Sequence, residues 1–183
     1  VSDTLDDAFE RYSGILFRSN RLLQKAQQQA FTESIKVDQD LVIDGADVNV
    51  LSSDESLTLE TNQSYTLVIK SPRIEIVAHS VYGAMYAIES FSQLVSREGF
   101  VNGTTIIDVP RFQFRSSMID TARHWLPLET IFAHLDAMMY NKMNVLHWHV
   151  VDSQSFPYCS YTFPTLCEEG AYSQTHVYHR DDV

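Results

Sequence analysis

The stretch from Ser116 to Val151 leaves few folds open to this chain. It begins with a short run, Ser116 to Thr121, bounded by charge and turn residues and centred on Met118 and Ile119, which reads as a buried strand. Pro127 suits a first helical position, where its missing N–H costs nothing. From there Leu128, Ile131, Phe132, Leu135, Met138 and Met139 recur at helical spacing and form one apolar stripe. Asn141 and Lys142 close that helix. Asn144 to Val151 is a second apolar run, too short for a helix and carrying valine and tryptophan. Strand, helix and strand with short connections predict a βαβ unit whose two strands run parallel.

Parallel units carry their chemistry at the carboxyl ends of the strands. Arg123 follows the first strand and Asp152 ends the second. Adjacent parallel strands bring those ends together, so a guanidinium and a carboxylate meet there. Two readings of the pair stand open: two groups facing one pocket, or a structural ion pair at a strand end. His147 and His149 add a rival chemistry. They stand two apart on the second strand and point the same way, as a metal-dependent hydrolase requires of a ligand pair. Against that, they precede the strand's carboxyl end and no further ligand cluster follows.

The chain ahead of Pro110 has a different pattern. Residues 3–12 and 18–31 read as two early helices, the first with a stripe of Leu5, Ala8, Phe9 and Tyr12, the second with Leu22, Leu23, Ala26 and Ala30. Between Gln39 and Ile69 the period falls to two. The runs LVID (41–44), VNVLS (48–52), LTLE (57–60) and YTLVIK (65–70) read as short strands split by turn residues. Ser71-Pro72 breaks the run, and Ile74, Ile76 and Ala78 alternate through a further strand. Ser80 caps a helix with Val81, Ala84, Met85, Ile88, Phe91 and Val95 on one face. Gly99 and Gly103 mark a loop, and Thr104 to Val109 is one more strand. Strands and helices without strict βαβ alternation predict an α+β sheet domain, 1–109, followed by a second unit, 110–183. Beyond Asp152, helix and strand signals vanish for about 25 residues. Loops of that length in compact domains are usually functional. Phe156, Tyr158, Tyr161 and Phe163 are its expected anchors, and Arg180 to Val183 reads as the start of a helix.

Composition excludes several partners. With 44% hydrophobic and 20% charged residues, the 183-residue chain is globular rather than disordered. A net charge of −11 argues against nucleic acid and against anionic membrane as partners. No apolar run reaches the ~18 residues of a membrane span. Val1 is not an initiator methionine and no secretory leader opens the chain, so we expect the natural N-terminus to lie upstream. Cys159 and Cys167 match no zinc spacing; a local disulfide and two free thiols both remain open. Asn62-Gln63-Ser64 and Asn102-Gly103-Thr104 are glycosylation sequons in polar, turn-like stretches.

Several ordered motifs run through the chain. They include Val81-Tyr82-Gly83-Ala84, Glu89 to Leu94, Pro110-Arg111-Phe112, and Ile119-Asp120-Thr121-Ala122-Arg123-His124-Trp125-Leu126-Pro127. Leu135 to Met138, Asn141 to His149, Val151 to Tyr158, Thr162-Phe163-Pro164, Gly170-Ala171-Tyr172 and His176-Val177-Tyr178 continue the series. In these motifs the chain resembles the β-N-acetylhexosaminidases of glycoside hydrolase family 20, particularly the eukaryotic lysosomal and secreted type. The resemblance implies an α/β protein: a small α+β, zincin-like N-terminal sheet domain followed by the first part of a (β/α)8 TIM barrel. It implies removal of terminal β-linked N-acetylglucosamine or N-acetylgalactosamine with retention, the substrate's own acetamide acting as nucleophile, one of the exceptions to the two-carboxylate scheme. It gives Arg123 the hydroxyls of the terminal sugar. It makes Asp152 a support for a downstream histidine, which in turn touches the acid/base glutamate. It implies no cofactor and no metal, and makes the His-Trp-His run structural. The family often has two acidic residues where this chain has Asp152-Ser153, and a glycine where it has Ser116 or Ser117.

About 70 residues follow Phe114, well short of the roughly 200–250 of a closed barrel. The family's Asp-Glu pair has no counterpart here, since Asp54-Glu55 falls in a turn of the first domain. We therefore expect part of a site in this chain, with an oligosaccharide or glycoconjugate as substrate and a homodimer or a processed multi-chain enzyme as the complete form. A non-catalytic carbohydrate-binding or subunit-assembly role is the alternative. The sequons and the resemblance together point to a lysosomal, vacuolar or secreted glycoprotein. Expression in a eukaryotic secretory host should therefore give a mass excess that glycan removal reverses. Unmodified Asn62 and Asn102 in that host would count against the route.

Overall fold

The computed structural model describes residues 2–16 and 42–183, which fall in two compact units, Val1–Gln113 and Phe114–Val183. The second early helix expected over 18–31 lies outside the described residues.

The first unit opens with α1, residues 3–16, whose Ala8 and Tyr12 are buried as the stripe requires. Four strands follow: β1 (Gly45–Val50), β2 (Tyr65–Lys70), β3 (Arg73–Ala78) and, after the helix α2 (Val81–Leu94), β4 (Thr104–Asp108). They form one sheet in the order β1-β3-β2-β4, parallel between β1 and β3 and antiparallel elsewhere. Period-two alternation decides which face is covered. Tyr65, Leu67 and Ile69 of β2 and Ile74, Ile76 and Ala78 of β3 are all buried, with Leu67 paired to Ile76 and Ile69 to Ile74. Val81, Ala84, Ala87 and Ile88 of α2 are buried as well, and the Tyr65 hydroxyl meets Ser90 Oγ at 2.6 Å, tying β2 to the helix. Each buried Leu or Ile side chain of this layer contributes roughly 1.5–3 kcal/mol. Ser80 caps α2 as expected: its hydroxyl oxygen accepts the Gly83 N–H and its proton goes to the Asn62 carbonyl at 2.7 Å.

Two expected strands are absent. Residues 42–44 of the LVID run are irregular, the strand beginning at Gly45, and 57–60 (LTLE) form turn and coil. In the second case the threonines bond locally. Thr58 N–H donates to Thr61 Oγ1 at 2.8 Å and Thr61 Oγ1 donates to the Ser56 carbonyl at 3.0 Å. Such side-chain bonds compete with ladder formation, and Leu57 and Leu59 stay exposed.

The second unit holds β5 (Ser116–Asp120), α3 (Leu128–Tyr140), β6 (Val145–His149) and the short α4 (Thr165–Gly170), with a 3-10 turn at Arg180–Asp182. β5 and β6 pair in parallel, Ser116 with Val145 and Asp120 with His149, so the βαβ reading holds. Pro127 stands at the N-cap, one residue ahead of its expected place, and Asn141 at the C-cap. Lys142 then takes the left-handed conformation, φ 54°, that terminates α3.

Burial in this unit departs from the pattern. β5 is not a buried strand here: Met118 is 56% exposed. In α3 only Ile131 and Met138 of the apolar stripe are buried, while Phe132 and Leu135 are exposed. A two-stranded sheet has too little area to cover both faces. The segment after β6 is not free of helix, since α4 lies within it. Of its four expected anchors, Phe156 and Tyr158 are half-buried, while Tyr161 and Phe163 are exposed and anchor nothing. The buried tyrosine is Tyr178, and a disulfide between Cys159 and Cys167, 5.1 Å apart at Cα, closes the loop.

Gly83 sets how closely α2 meets the backbone that leads into β2. A Cβ there would stand 2.6 Å from the Ser64 carbonyl oxygen, a backbone atom with nowhere to retreat. Gly83→Ala should therefore destabilise by about 1–3 kcal/mol, overriding a helix-propensity gain of up to ~1 kcal/mol. Thermal or urea denaturation checks this, and an unchanged or raised midpoint would contradict the close approach.

Candidate active site

The carboxyl ends of β5 and β6 carry a compact polar cluster. Asp120 is the last residue of β5, and one of its carboxylate oxygens, Oδ1, accepts the N–H groups of Ala122 and Arg123, each at 3.1 Å. That pattern folds the chain over so that Arg123 returns above the strand end. The other oxygen, Oδ2, takes a close ion pair with the Arg123 guanidinium. Arg123 Nη2 reaches Asp152 Oδ2 at 2.7 Å, and Arg123 Nε donates to Gln154 Oε1 at 3.3 Å. Asp152 Oδ2 also meets His149 Nε2 at 2.9 Å, while its Oδ1 accepts the Ser153 N–H at 2.6 Å. Arg123 and Asp152 therefore meet, as the strand topology requires.

Charge follows geometry. The Arg123 guanidinium holds the Asp120 carboxyl below its ordinary range. The Ser153 N–H, then His149 and Arg123, do the same for Asp152. Asp120, more than Asp152, raises Arg123 in turn. With the Arg123 side chain 51% exposed, solvent screens these pairs. Their effect is to fix direction rather than to supply much stability.

The loop after β6 braces the turn that carries Arg123. Ser155 Oγ donates to the Ala122 carbonyl, and the Tyr172 hydroxyl lies 3.0 Å from the Ala122 carbonyl and 3.1 Å from that of Arg123. The Tyr178 hydroxyl accepts the Leu126 N–H at 3.2 Å and donates to the Leu126 carbonyl. Trp148 Nε1 donates to Thr121 Oγ1 at 2.8 Å, locking the end of β6 to the end of β5. Trp125 lies nearly parallel to Tyr178 at 5.7 Å and edge-on to His176 at 4.7 Å. Arg123, His124, Trp125, Tyr172 and His176 line an open hollow of about 340 Å³, the lower end of the small-molecule range.

His147 and His149 lie 6.5 Å apart between ring centres, and His149 is turned to Asp152. Among the described residues no group of three or more His, Cys, Asp or Glu side chains is placed to hold a metal ion. Asp54 of the Asp54-Glu55 dipeptide accepts the Ser56 N–H at 2.9 Å within its own turn. Both sequon asparagines are exposed, and the Asn62 side-chain oxygen accepts the Ser64 N–H at 2.9 Å. Sequence reasoning singled out Arg123 and Asp152 and missed Asp120, His149 as the partner of Asp152, and Gln154. The i, i+3 spacings of Asp120 to Arg123 and of His149 to Asp152 were the available signal.

A parallel βαβ unit with a charged site at its strand ends is a piece of an α/β protein of the enzyme-bearing kind. Comparison with known proteins narrows the class. Residues 112–183 match the model of the glycosyl hydrolase family 20 catalytic domain, and residues 1–94 match a beta-acetyl hexosaminidase-like model. The chain is similar to human beta-hexosaminidase subunit beta, 42% identical over 98% of this chain and 32% of that one. To the mouse beta-hexosaminidase subunit alpha it is 42% identical over 98% of this chain and 34% of the relative. Among solved structures, a chitobiase from Flavobacterium johnsoniae superposes with a TM-score of 0.68 at 27% identity, over 94% of this chain and 26% of that one. The chain belongs to glycosyl hydrolase family 20, and it spans about a third of the length of these curated relatives.

The two carboxylates give this unit a pH signature. Their folded values lie below the ordinary 3.8, so the stability they contribute is present above that value and is lost as pH falls through the folded ones. Both tryptophans of the chain lie in this unit, so fluorescence reads its unfolding. Below about pH 4 the melting temperature of an Asp120→Asn/Asp152→Asn variant should fall less steeply than that of the parent. Equal slopes would mean that the pair is not held ionised by the fold.

Proposed function

We propose that this chain contributes the sugar-gripping part of the active site of a β-N-acetylhexosaminidase. The enzyme removes terminal β-linked N-acetylglucosamine or N-acetylgalactosamine from glycoconjugates with retention, the substrate's acetamide serving as nucleophile. The observation that carries this reading is the Arg123–Asp152 pair, 2.7 Å apart at adjacent strand ends, in a chain of this family. A guanidinium fixed by two carboxylates presents its remaining N–H groups in a plane, suited to two neighbouring hydroxyls of one sugar. Asp152, which here holds His149, keeps the carboxylate side of the site charged and, in the complete enzyme, supports a histidine further along the sequence that contacts the general acid. That acid and the acetamide-polarising aspartate have no counterpart in this chain and belong to the rest of the enzyme.

In this reading 1–109 is a zincin-like α+β domain and 110–183 begins a (β/α)8 barrel. The parallel β5–β6 pair with its α3 crossover supports the second assignment. Exposed sequon asparagines Asn62 and Asn102, together with the Cys159–Cys167 disulfide, support a secretory route to the lysosome, the vacuole or the exterior. No helix among the described residues is long and apolar enough to cross a membrane. The complete enzyme is a homodimer or an assembly of processed chains.

Steady-state kinetics on the enzyme that contains this chain test the proposal. Arg123→Ala leaves buried sugar hydroxyls without charge-assisted partners, a loss of about 1.5–3 kcal/mol, or roughly 10- to 150-fold in kcat/KM. Arg123→Lys should fold, keep its pH optimum and mainly raise KM, because an ammonium lacks the planar fork. Asp152→Asn should instead lower kcat and shift the pH profile. Wild-type kcat/KM in Arg123→Lys would make Arg123 a structural residue and remove the reading.

A further inference from the structure

We propose that Asp120 is a positioning residue for Arg123, a single carboxylate that sets both the backbone turn and the head group of the sugar-binding arginine. The inference rests on the reading of Arg123 as the residue that grips the terminal sugar.

Three acceptors surround the guanidinium: Gln154 on Nε, Asp120 on Nη1 and Asp152 on Nη2. Only Asp120 also controls where the Arg123 backbone lies. Its Oδ1 accepts two successive N–H groups, those of Ala122 and Arg123, at 3.1 Å each, while Oδ2 holds the side chain's far end. A turn stapled this way fixes both ends of a long side chain from one point. The loop reinforces the same turn from the carbonyl side through Ser155 and Tyr172. Side-chain exposure bears on the role as well. Asp120 is 23% exposed and Arg123 51%, so the carboxylate sits beneath and the guanidinium faces outward. Of the five guanidinium N–H groups, the three partners occupy three. Among the described residues these partners leave two N–H groups to meet hydroxyls in a fixed plane. Without Asp120 the head group keeps Asp152 and Gln154 but gains freedom to swing, and substrate binding must then order it.

Asparagine separates the two roles. An Asp120→Asn side-chain oxygen still accepts the two backbone N–H groups, so the turn survives. Its amide N–H groups then oppose the guanidinium donors, and the head group is released. In the full-length enzyme carrying this chain, we expect Asp120→Asn to raise KM for a chromogenic β-N-acetylglucosaminide roughly five- to tenfold. kcat and its pH optimum should stay close to the parent values. Asp120→Ser, which retains a short acceptor for the turn and has no group for the guanidinium, should give the same KM rise. In a double-mutant cycle with Arg123→Lys the KM effects should be strongly non-additive. Full additivity, or a fall in melting temperature with KM unchanged, would overturn the positioning role. The two layers separate cleanly. If Arg123→Lys is impaired and neither Asp120 variant is, only the role of Asp120 falls. If Arg123→Lys matches wild type, the sugar-binding reading falls and the role of Asp120 falls with it.

Discussion

Two carboxylates at adjacent strand ends repel unless something stands between them. In this chain the Arg123 guanidinium does, and the local architecture follows from that requirement. Asp120 closes β5 and Asp152 follows β6, so the parallel register that pairs Asp120 with His149 also brings both acids within reach of the arginine. The turn after β5 has to fold back for Arg123 to reach them. Asp120 makes that turn through Ala122 and Arg123, and three loop side chains take up the carbonyls it leaves, at Ala122, Arg123 and Leu126. Half exposure of the arginine limits what the ion pairs contribute to stability. Their consequence is directional: a cationic plane held at one place and one tilt.

The segment after β6, mostly irregular apart from α4, ties itself together. Its backbone meets itself through Asp152 N–H to Ser155 O, Phe156 N–H to Gly170 O and Cys159 N–H to Tyr178 O, at 2.8–3.0 Å. The Cys159–Cys167 disulfide closes part of that loop and reduces the freedom it would have when unfolded. Tyr178 fixes the loop to the start of α3, with its ring between Trp125 and Trp148 and its hydroxyl on both polar groups of Leu126. The hollow beside Arg123 is thus walled by residues from the turn and the loop together.

The two units differ in how fully each satisfies itself. The first buries the apolar sides of β2, β3 and α2, and Gly83 lets α2 approach the Ser64 backbone closely. The second leaves Met118, Phe132 and Leu135 exposed around a two-stranded sheet.

Local pattern was enough to specify several elements. Period-two alternation in β3, helical spacing in α2 and α3, the Ser80 cap and the parallel β5–β6 pair were all legible, because each depends on residues close in sequence. The meeting of Arg123 and Asp152 was legible too, since parallel pairing alone brings those strand ends together. Other features depended on partners far along the chain. Residues 57–60 alternate like a strand, yet threonine hydroxyls took their backbone groups. Tyr172 and Tyr178, rather than Tyr161 and Phe163, anchor the loop, because a phenol hydroxyl anchors only where an open carbonyl faces it. The disulfide was one of two states the spacing allowed until the loop brought Cys159 and Cys167 within reach. The sequence determined which residues stand at the strand ends. Only the tertiary structure decided that Asp120, Gln154 and His149 join them there, because their directions depend on the turn and the loop and not on periodicity.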